Sequence, residues 1–309
     1  MKRVLVTGAT GFIGRHSLAG LLAADYEVHA ITIDPSLPEP IGVNWHALNL
    51  LNLQQIDRLV AAVRPTHLLH FAWYAAPGKY WTAPENVLWQ QASLALLHNF
   101  VQHGGQRAVM AGTCAEYDWN YGFCSERYTP LAPRTLYGTC KHALQLTLHA
   151  YAAQTQLSAA WGRIFFLYGS HEHPDRLVSS VIRALLSGEP ALCSHGNQVR
   201  DFLHVQDVAA AFVALLDSAV TGPVNIASGQ AVQLKTIINT IAAQLDRADL
   251  IRLGALPVAS DEPPLIVADA RRLRTEVGWQ PQYDLATGLA QTIGWWKLQL
   301  ATSIGHTLP

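Results

Sequence analysis

Charge is scarce in this chain. Lysine, arginine, aspartate and glutamate make up 14% of its 309 residues, against about 25% in an average soluble domain. The formal net charge of −1 leaves no basic excess for nucleic acid or an anionic membrane. A lightly charged, apolar surface of this kind favours oligomerisation. Cysteine is sparse too: Cys114, Cys124, Cys140 and Cys193 do not make a disulfide framework in a chain of this length. No apolar run approaches the roughly 18 residues of a membrane-spanning helix. No signal peptide is recognisable before the first strand-like run, and the expected location is cytoplasmic. Repeats and low-complexity tracts are lacking. The 14 histidines invite a metal reading, with His171 and His173 the closest pair. Neither His-Glu-x-x-His nor Cys-x-x-Cys spacing occurs, so no metal is expected.

What the chain does have is a tyrosine and a lysine four residues apart, Tyr137 and Lys141, preceded by Thr113. On a helix that spacing puts both side chains on one face. A phenol titrates near pH 10 and shuttles protons poorly at neutrality unless a cation lowers its pKa. Lys141 is the candidate cation, and Thr113 could hold a substrate oxygen beside the phenol. The same spacing also suits a core tyrosine followed by a solvated lysine.

The N-terminus adds weight to the functional reading. A β-branched run, Arg3 to Thr7, leads into Gly8, Gly11 and Gly14 and then a helix-like stretch from Arg15 to Ala24. Glycines at this spacing permit a tight strand-to-helix turn and let backbone N–H groups approach a pyrophosphate at the helix N-terminus.

Strand-like runs at Arg3–Thr7, Glu27–Ile33, His67–Phe71, Ala108–Gly112 and Ala159–Phe166 alternate with helical stretches at Ile13–Ala24, Leu53–Val63, Trp89–His103 and Tyr137–Gln154. Alternation of this kind predicts an α/β fold with a Rossmann-like, doubly wound parallel sheet. The runs Val205–Leu216 and Pro223–Ile226 would complete it. The expected organisation is a dinucleotide-binding domain over 1–170, completed by about 201–228, with an interleaved, smaller substrate lobe from 171–200 and 229–309. The Pro-rich stretch Leu256–Pro264 reads as a loop within that lobe.

Together these features resemble the extended short-chain dehydrogenase/reductase family, which includes nucleotide-sugar epimerases, dehydratases and ketoreductases. Further similar segments run almost the full length: His70-Phe71-Ala72, Gly112-Thr113-Cys114-Ala115-Glu116-Tyr117, Arg200-Asp201-Phe202-Leu203-His204-Val205-Gln206-Asp207-Val208, Gly222 to Gly229, and Gly278-Trp279-Gln280-Pro281. The resemblance implies an enzyme with catalytic Tyr137, Lys141 and Thr113. It implies NAD(P) contacts from Gly8, Gly11, Phe12, Ile13, Gly14, Arg15, Phe71, Ala72 and Lys141. Tyr137 would exchange a proton with a sugar oxygen while hydride passes between the sugar carbon and the nicotinamide. A homodimer through the helices near 89–103 and 137–154 is also implied, although burial in the monomer would explain their apolar content equally.

In NAD-using relatives an acidic residue ends the second strand. That position falls on Thr32 here, with Asp34 two residues on. An uncharged Thr32 near Arg15 favours NADP slightly. The family's 4,6-dehydratases carry Asp-Glu directly after the catalytic threonine, where this chain has Cys114 and Ala115. Relatives that epimerise beside the ketone use a cysteine at the Ala115 position and a histidine where Ser180 stands. If the segment is extended, Cys114 faces away from that role. Glu116 is expected to make a structural contact. A nucleotide-activated 4-keto-sugar reductase is the favoured function, a 4-epimerase with tightly bound NAD the alternative, and a non-catalytic NAD(P)-binding sensor a second alternative.

For the nucleotide-sugar substrate, the resemblance points to Arg200 on the phosphate side. Trp73, Lys79, Cys114 and His171 are further candidates. Two phosphate contacts of the family are replaced here, by Phe166 and by Pro263-Pro264.

Overall fold

The computed structural model describes residues 2–34 and 40–305, so the outermost expected boundaries, at 1 and 309, lie outside the described residues. In chain order the elements are β1 (Arg3–Thr7), α1 (Gly14–Ala23), β2 (Glu27–Thr32), β3 (Val43–Ala47), α2 (Leu53–Val63), β4 (His67–His70), α3 (Glu85–Gln102) and β5 (Arg107–Thr113). Next come β6 (Phe123–Cys124), α4 (Leu136–Thr155), β7 (Ser158–Ile164), β8 (Phe166–Tyr168), α5 (Leu177–Leu186), β9 (Ala191–Leu192), β10 (Val199–Arg200) and β11 (Phe202–His204). The chain ends with α6 (Val205–Asp217), β12 (Gly222–Ile226), β13 (Val232–Gln233), α7 (Leu234–Leu245), β14 (Ile251–Arg252), β15 (Leu265–Ala268), α8 (Arg271–Thr275) and α9 (Leu285–Gly305).

Val4, Leu5 and Val6 have no exposed surface. A run apolar on both faces suits a central parallel strand covered by helices on each side. The main sheet runs in the order β12-β7-β5-β4-β1-β2-β3, with each adjacent pair parallel. Strand order reverses between β1 and β4, and the crevice beyond their C-terminal ends is where doubly wound sheets bind ligands. Leu18 and Leu21 of α1 and Val208, Phe212 and Leu215 of α6 pack on one face of the sheet. Ile56, Val60, Leu96, Phe100, Leu144 and Leu148, from α2, α3 and α4, pack on the other. A further core joins Val178, Ile182, Ile237, Ile241, Leu289 and Trp296 from α5, α7 and α9.

Three elements depart from the sequence expectation. The run Val205–Leu216, expected to complete the sheet, is helix α6, which packs on one face of it. Strand β3 has a mostly half-exposed, polar-rich sequence that carries little periodic signal, and it is held by pairing along β2. The expected strand Ala159–Phe166 divides after Ile164. The Phe165 amide still bonds Ile226 at 3.3 Å, but the Phe166 amide turns to Asp201, and β8 pairs with β11 instead of continuing the sheet.

Beneath the switch point lies a buried polar relay whose proton directions follow from its geometry. The Ser93 hydroxyl donates to Trp89 O at 2.7 Å, so at 2.8 Å from His70 Nε2 it accepts from that nitrogen. His70 Nδ1 is then an acceptor and takes the Thr7 hydroxyl at 2.7 Å, while the Thr7 oxygen accepts the Ala72 amide at 3.2 Å. Burial pushes the His70 pKa down to about 3. A depressed histidine pKa means that the folded protein resists protonation; its contribution is full above the ordinary value of 6.5 and is lost as pH falls toward 3. Ser93→Ala removes the acceptor of a buried N–H and is expected to destabilise the protein by about 1–3 kcal/mol at neutral pH. Urea unfolding measures this, and an unchanged midpoint would refute the relay.

Candidate active site

The turn from β1 into α1 is set by contacts that admit no side chain. Gly8 sits at φ +66°, and a Cβ there would lie 2.8 Å from the Ala72 amide nitrogen. A Cβ on Gly14 would lie 2.1 Å from Gly8 O. The Gly11 amide closes the turn on Gly8 O at 3.0 Å. Helix α1 starts without a side-chain cap at Ile13, and a helix N-terminus carries the positive end of the backbone dipole, which favours anions. This backbone cradle fits a dinucleotide diphosphate, with Gly8, Gly11, Phe12, Ile13 and Gly14 as its wall.

Arg15 folds back over the turn, donating from Nε to Thr10 O at 3.2 Å and Gly11 O at 3.3 Å, and reaching His171 Nδ1. Phe71 stacks edge-on against Phe212 at 4.9 Å, and Ala72 lies directly under Gly8. Thr32 is the last residue of β2. Its buried hydroxyl accepts the Asp34 amide at 3.0 Å and donates to Asp34 O at 2.9 Å, making a local turn that leaves the Asp34 side chain exposed.

Thr113, Tyr137 and Lys141 come together from two elements. Thr113 ends β5 and caps the short turn Cys114–Glu116. Tyr137 and Lys141 lie in the opening turns of α4, which Thr135 caps by accepting the Gly138 amide at 3.1 Å. Tyr137 is half-buried; its phenol lies near the Thr113 side chain, and removal from water raises its pKa above the usual phenol value. Tyr80 and Trp81 meet its ring edge-on at 4.9 and 5.8 Å, and Trp73 does so at 6.5 Å.

Lys141 is 3% exposed. Its ammonium donates to Ala111 O at 2.8 Å and lies 3.9 Å from the centre of the Trp73 ring. Burial lowers its pKa to about 7, partly countered by Glu116. The pair does share a helix face, but here the ammonium is engaged with Ala111 and Trp73. The carboxylate of Glu116 adds to the desolvation that raises the phenol's pKa.

Below Thr113 sits Glu116, which has no exposed surface. Its carboxylate accepts the Thr113 amide at 2.8 Å, Trp161 Nε1 at 2.9 Å and Arg163 Nε at 2.7 Å. Arg163 also donates to the Tyr117 hydroxyl at 3.1 Å, and that hydroxyl donates to Asn225 at 2.7 Å. The structural contact expected of Glu116 is therefore an ion pair buried directly under Thr113.

The remaining candidates are spread along the cleft. Trp73 donates to Asn86 at 2.8 Å, and Lys79 is exposed. Cys114 belongs to a 3-10 turn and not to an extended segment, so the alternation argument applied to it fails. Its thiol is buried with Tyr117, Cys124 and Phe165, and its pKa is pushed far up by that burial. His171, at φ +69°, stacks 4.8 Å from Trp295 and 5.9 Å from His16, placing it against the glycine turn. Arg200 is buried and pairs with Glu262. Arg176 escaped the sequence reading. Its guanidinium stands 5.5 Å from the ring of Tyr80, whose hydroxyl pKa burial lifts to about 12. The only signal was a lone arginine ahead of the apolar run of α5. Among the described residues, no group of three histidine, cysteine or carboxylate side chains could hold a metal ion, and no helix is long and apolar enough to cross a membrane.

Comparison with known proteins places this geometry in context. The sequence profile of the NAD dependent epimerase/dehydratase family matches residues 4–227. UDP-glucuronic acid decarboxylase 1 of Danio rerio is 27% identical, with 97% of this chain and 73% of that protein aligned. UDP-glucose 4-epimerase of Rhizobium meliloti (strain 1021) is 26% identical, with 95% and 97% aligned. The crystal structure of the Thermus thermophilus UDP-glucose 4-epimerase in complex with NAD superposes with a TM-score of 0.83 at 26% identity, covering 96% of this chain and 99% of that one.

A buried lysine with a depressed pKa weakens the free protein wherever it must carry its charge. The unfolded chain holds the proton up to about 10.5 and the folded one only up to about 7, so the cost is greatest below pH 7 and is relieved as pH rises between the two values. Lys141→Met should therefore raise the melting temperature of the cofactor-free protein near pH 6.5. The gain should shrink toward pH 10. Thermal scans across that range test this, and a pH-independent effect would contradict it.

Proposed function

Because the chain belongs to the NAD-dependent epimerase/dehydratase family, we propose that it is an NAD(P)-dependent oxidoreductase acting at carbon 4 of a nucleotide-activated sugar, as a 4-keto-sugar reductase. The observation that carries this reading is the placement of Tyr137 in the first turn of α4, ringed by Trp73, Tyr80 and Trp81 and one turn before Lys141. Burial and its neighbours hold the phenol protonated, and a protonated phenol is the acid that a ketone needs as it becomes an alcohol. The glycine turn would hold the diphosphate of NAD(P)H, whose nicotinamide would supply the hydride. Tyr137 gives its proton to the ketone oxygen, and the Thr113 hydroxyl, fixed by the Ala115 amide at 3.2 Å, holds that oxygen in line. Lys141, held by Ala111 O and the face of Trp73, would bond the nicotinamide ribose. Donors arranged in advance around that oxygen are the main source of rate acceleration in this scheme.

Cys114 and Ala115, where the dehydratases of the family carry an acid and a base, support hydride chemistry without loss of water. The end of β2 at Thr32, with its hydroxyl committed to Asp34, supports NADP as the cofactor. A second reading is 4-epimerisation with retained NAD. It is supported by the similarity to UDP-glucose 4-epimerases over nearly the whole chain, and it uses the same three residues.

We assign Trp73 and Lys79, from the segment after β4, and His171 and Arg200, from a lobe built from 171–200 and 229–309, to the substrate side. Cys114 serves there as a buried packing group. A homodimer through α3 and α4 is supported by the apolar residues those helices expose, Val87, Leu88 and Leu146.

Tyr137→Phe is expected to lower kcat by about 10²–10⁴-fold while leaving NADPH affinity intact; undiminished turnover would overturn the mechanism. The nucleotide content of the purified, denatured protein separates the two activities. An empty protein that takes up NADPH over NADH fits the reductase, and NAD retained at near one per chain fits the epimerase.

A further inference from the structure

Arg200 is a cation removed from water, with its side chain 3% exposed. It ends β10, stands 5.4 Å from the Phe166 ring, and is close enough to act on the Cys114 thiol, next to Thr113. Phe166 packs against the cluster that holds Cys114, so Arg200 lies close behind the turn that follows Thr113. A buried guanidinium needs an anion. The anion here is Glu262, which pairs with the Arg200 Nη2 amine while Nη1 donates to Val199 O at 2.9 Å. These bonds use two of five N–H donors, leaving capacity for a doubly accepting group such as phosphate.

The two partners differ in how firmly they are held. Arg200 is fixed within a sheet. Glu262 lies on the loop 253–264, its side chain is 41% exposed, and its backbone is tied by one bond from its amide to Ala259 O at 3.1 Å. The loop is held at Leu256, whose amide bonds Cys193 O at 3.1 Å, and after Glu262, where Pro264 O accepts the Val199 amide at 2.8 Å, so the stretch between these anchors can lift without disturbing β10. A carboxylate that is half in water gives up less solvation on leaving the pair than the buried arginine would lose if left alone. Exchange of one anion for another on Arg200 is then the low-cost route to binding.

We propose that Glu262 is a place-holding carboxylate: it occupies Arg200 in the free protein and yields it to the diphosphate of the incoming nucleotide sugar, so that the loop between Leu256 and Pro264 opens as substrate binds. The proposal rests on the nucleotide-sugar reading of the substrate. Glu262 thereby sets how much affinity a diphosphate can draw from Arg200, and it selects against ligands that bring no anion to displace it.

The test is calorimetric binding of UDP, dTDP, CDP and GDP to the full chain with NADPH present, for the wild type and for Glu262→Gln. Glutamine keeps an acceptor for Arg200 and removes the competing charge. Tightening by about tenfold for the nucleotide that binds is the expected result. If the ion pair served only to hold the loop in shape, the variant would bind more weakly, and equal or weaker binding overturns the place-holder while leaving the nucleotide-sugar reading intact. Failure of both proteins to bind any of the four, with NADPH binding preserved, overturns both readings. Amide exchange in the wild type gives an answer free of any folding defect. Exchange at Asp261 and Glu262 should quicken when the bound nucleoside diphosphate is added, and protection there would refute loop opening.

Discussion

The ion pair between Glu116 and Arg163 is the constraint on which the catalytic geometry depends. Both side chains are at or below 1% exposed, and their bonds tie together the end of β5, the adjacent strand β7 and the short turn after Thr113. Removing one member of such a pair strands the other charge in the interior, at a cost of about 3–5 kcal/mol. The surrounding geometry leaves little slack. A Cβ at Gly112 would lie 2.0 Å from Trp161 Nε1, so the strand, the indole and the carboxylate are fitted to one another. Thr113 presents its hydroxyl to Tyr137 because its own amide is fixed from below by Glu116.

Desolvation acts in opposite directions on the two neighbouring groups of α4. It raises the pKa of the phenol and lowers that of the amine, disfavouring the charged form of each. The result in the free protein is a neutral acid beside an amine near its midpoint at neutral pH. Lys141 retains what charge it has through Ala111 O, the face of Trp73 and the field of Glu116. The pair at 116 and 163 thus supports the site twice, by position through Thr113 and by charge through Lys141.

Much of this was legible in the sequence because it follows from local rules. The glycine turn, the alternation of strands and helices, and the four-residue spacing of Tyr137 and Lys141 each need only a short window to read. What escaped depended on partners remote in sequence. Strand β3 exists because β2 offers an edge. The break after Ile164 exists because Asp201 claims the Phe166 amide. The expected influence of Lys141 on Tyr137 assumed that sharing a helix face means sharing a field, but a backbone carbonyl and an indole face from elsewhere hold the ammonium. Cys114 was judged on strand alternation, and the capping of a 3-10 turn by Thr113 removes that premise.

With only 14% of residues charged, the use of each buried charge is informative. In the segment from Arg200 to Val208, Asp201 accepts the amides of Ser228 and Gly229, each at 2.8 Å. Asp207 accepts the amides of Gln282 and Tyr283, each at 3.0 Å. Both carboxylates are thus committed to backbone, where they fix the loops that join the sheet to the outer helices. Glu116 and Arg163 satisfy one another, and Lys141 has no carboxylate in direct contact. Arg200 alone among these groups is balanced by a carboxylate that also faces water. A ligand anion can change its partner without leaving an unpaired charge in the core, and that asymmetry marks Arg200 as the point where an incoming anion can be exchanged for one of the protein's own.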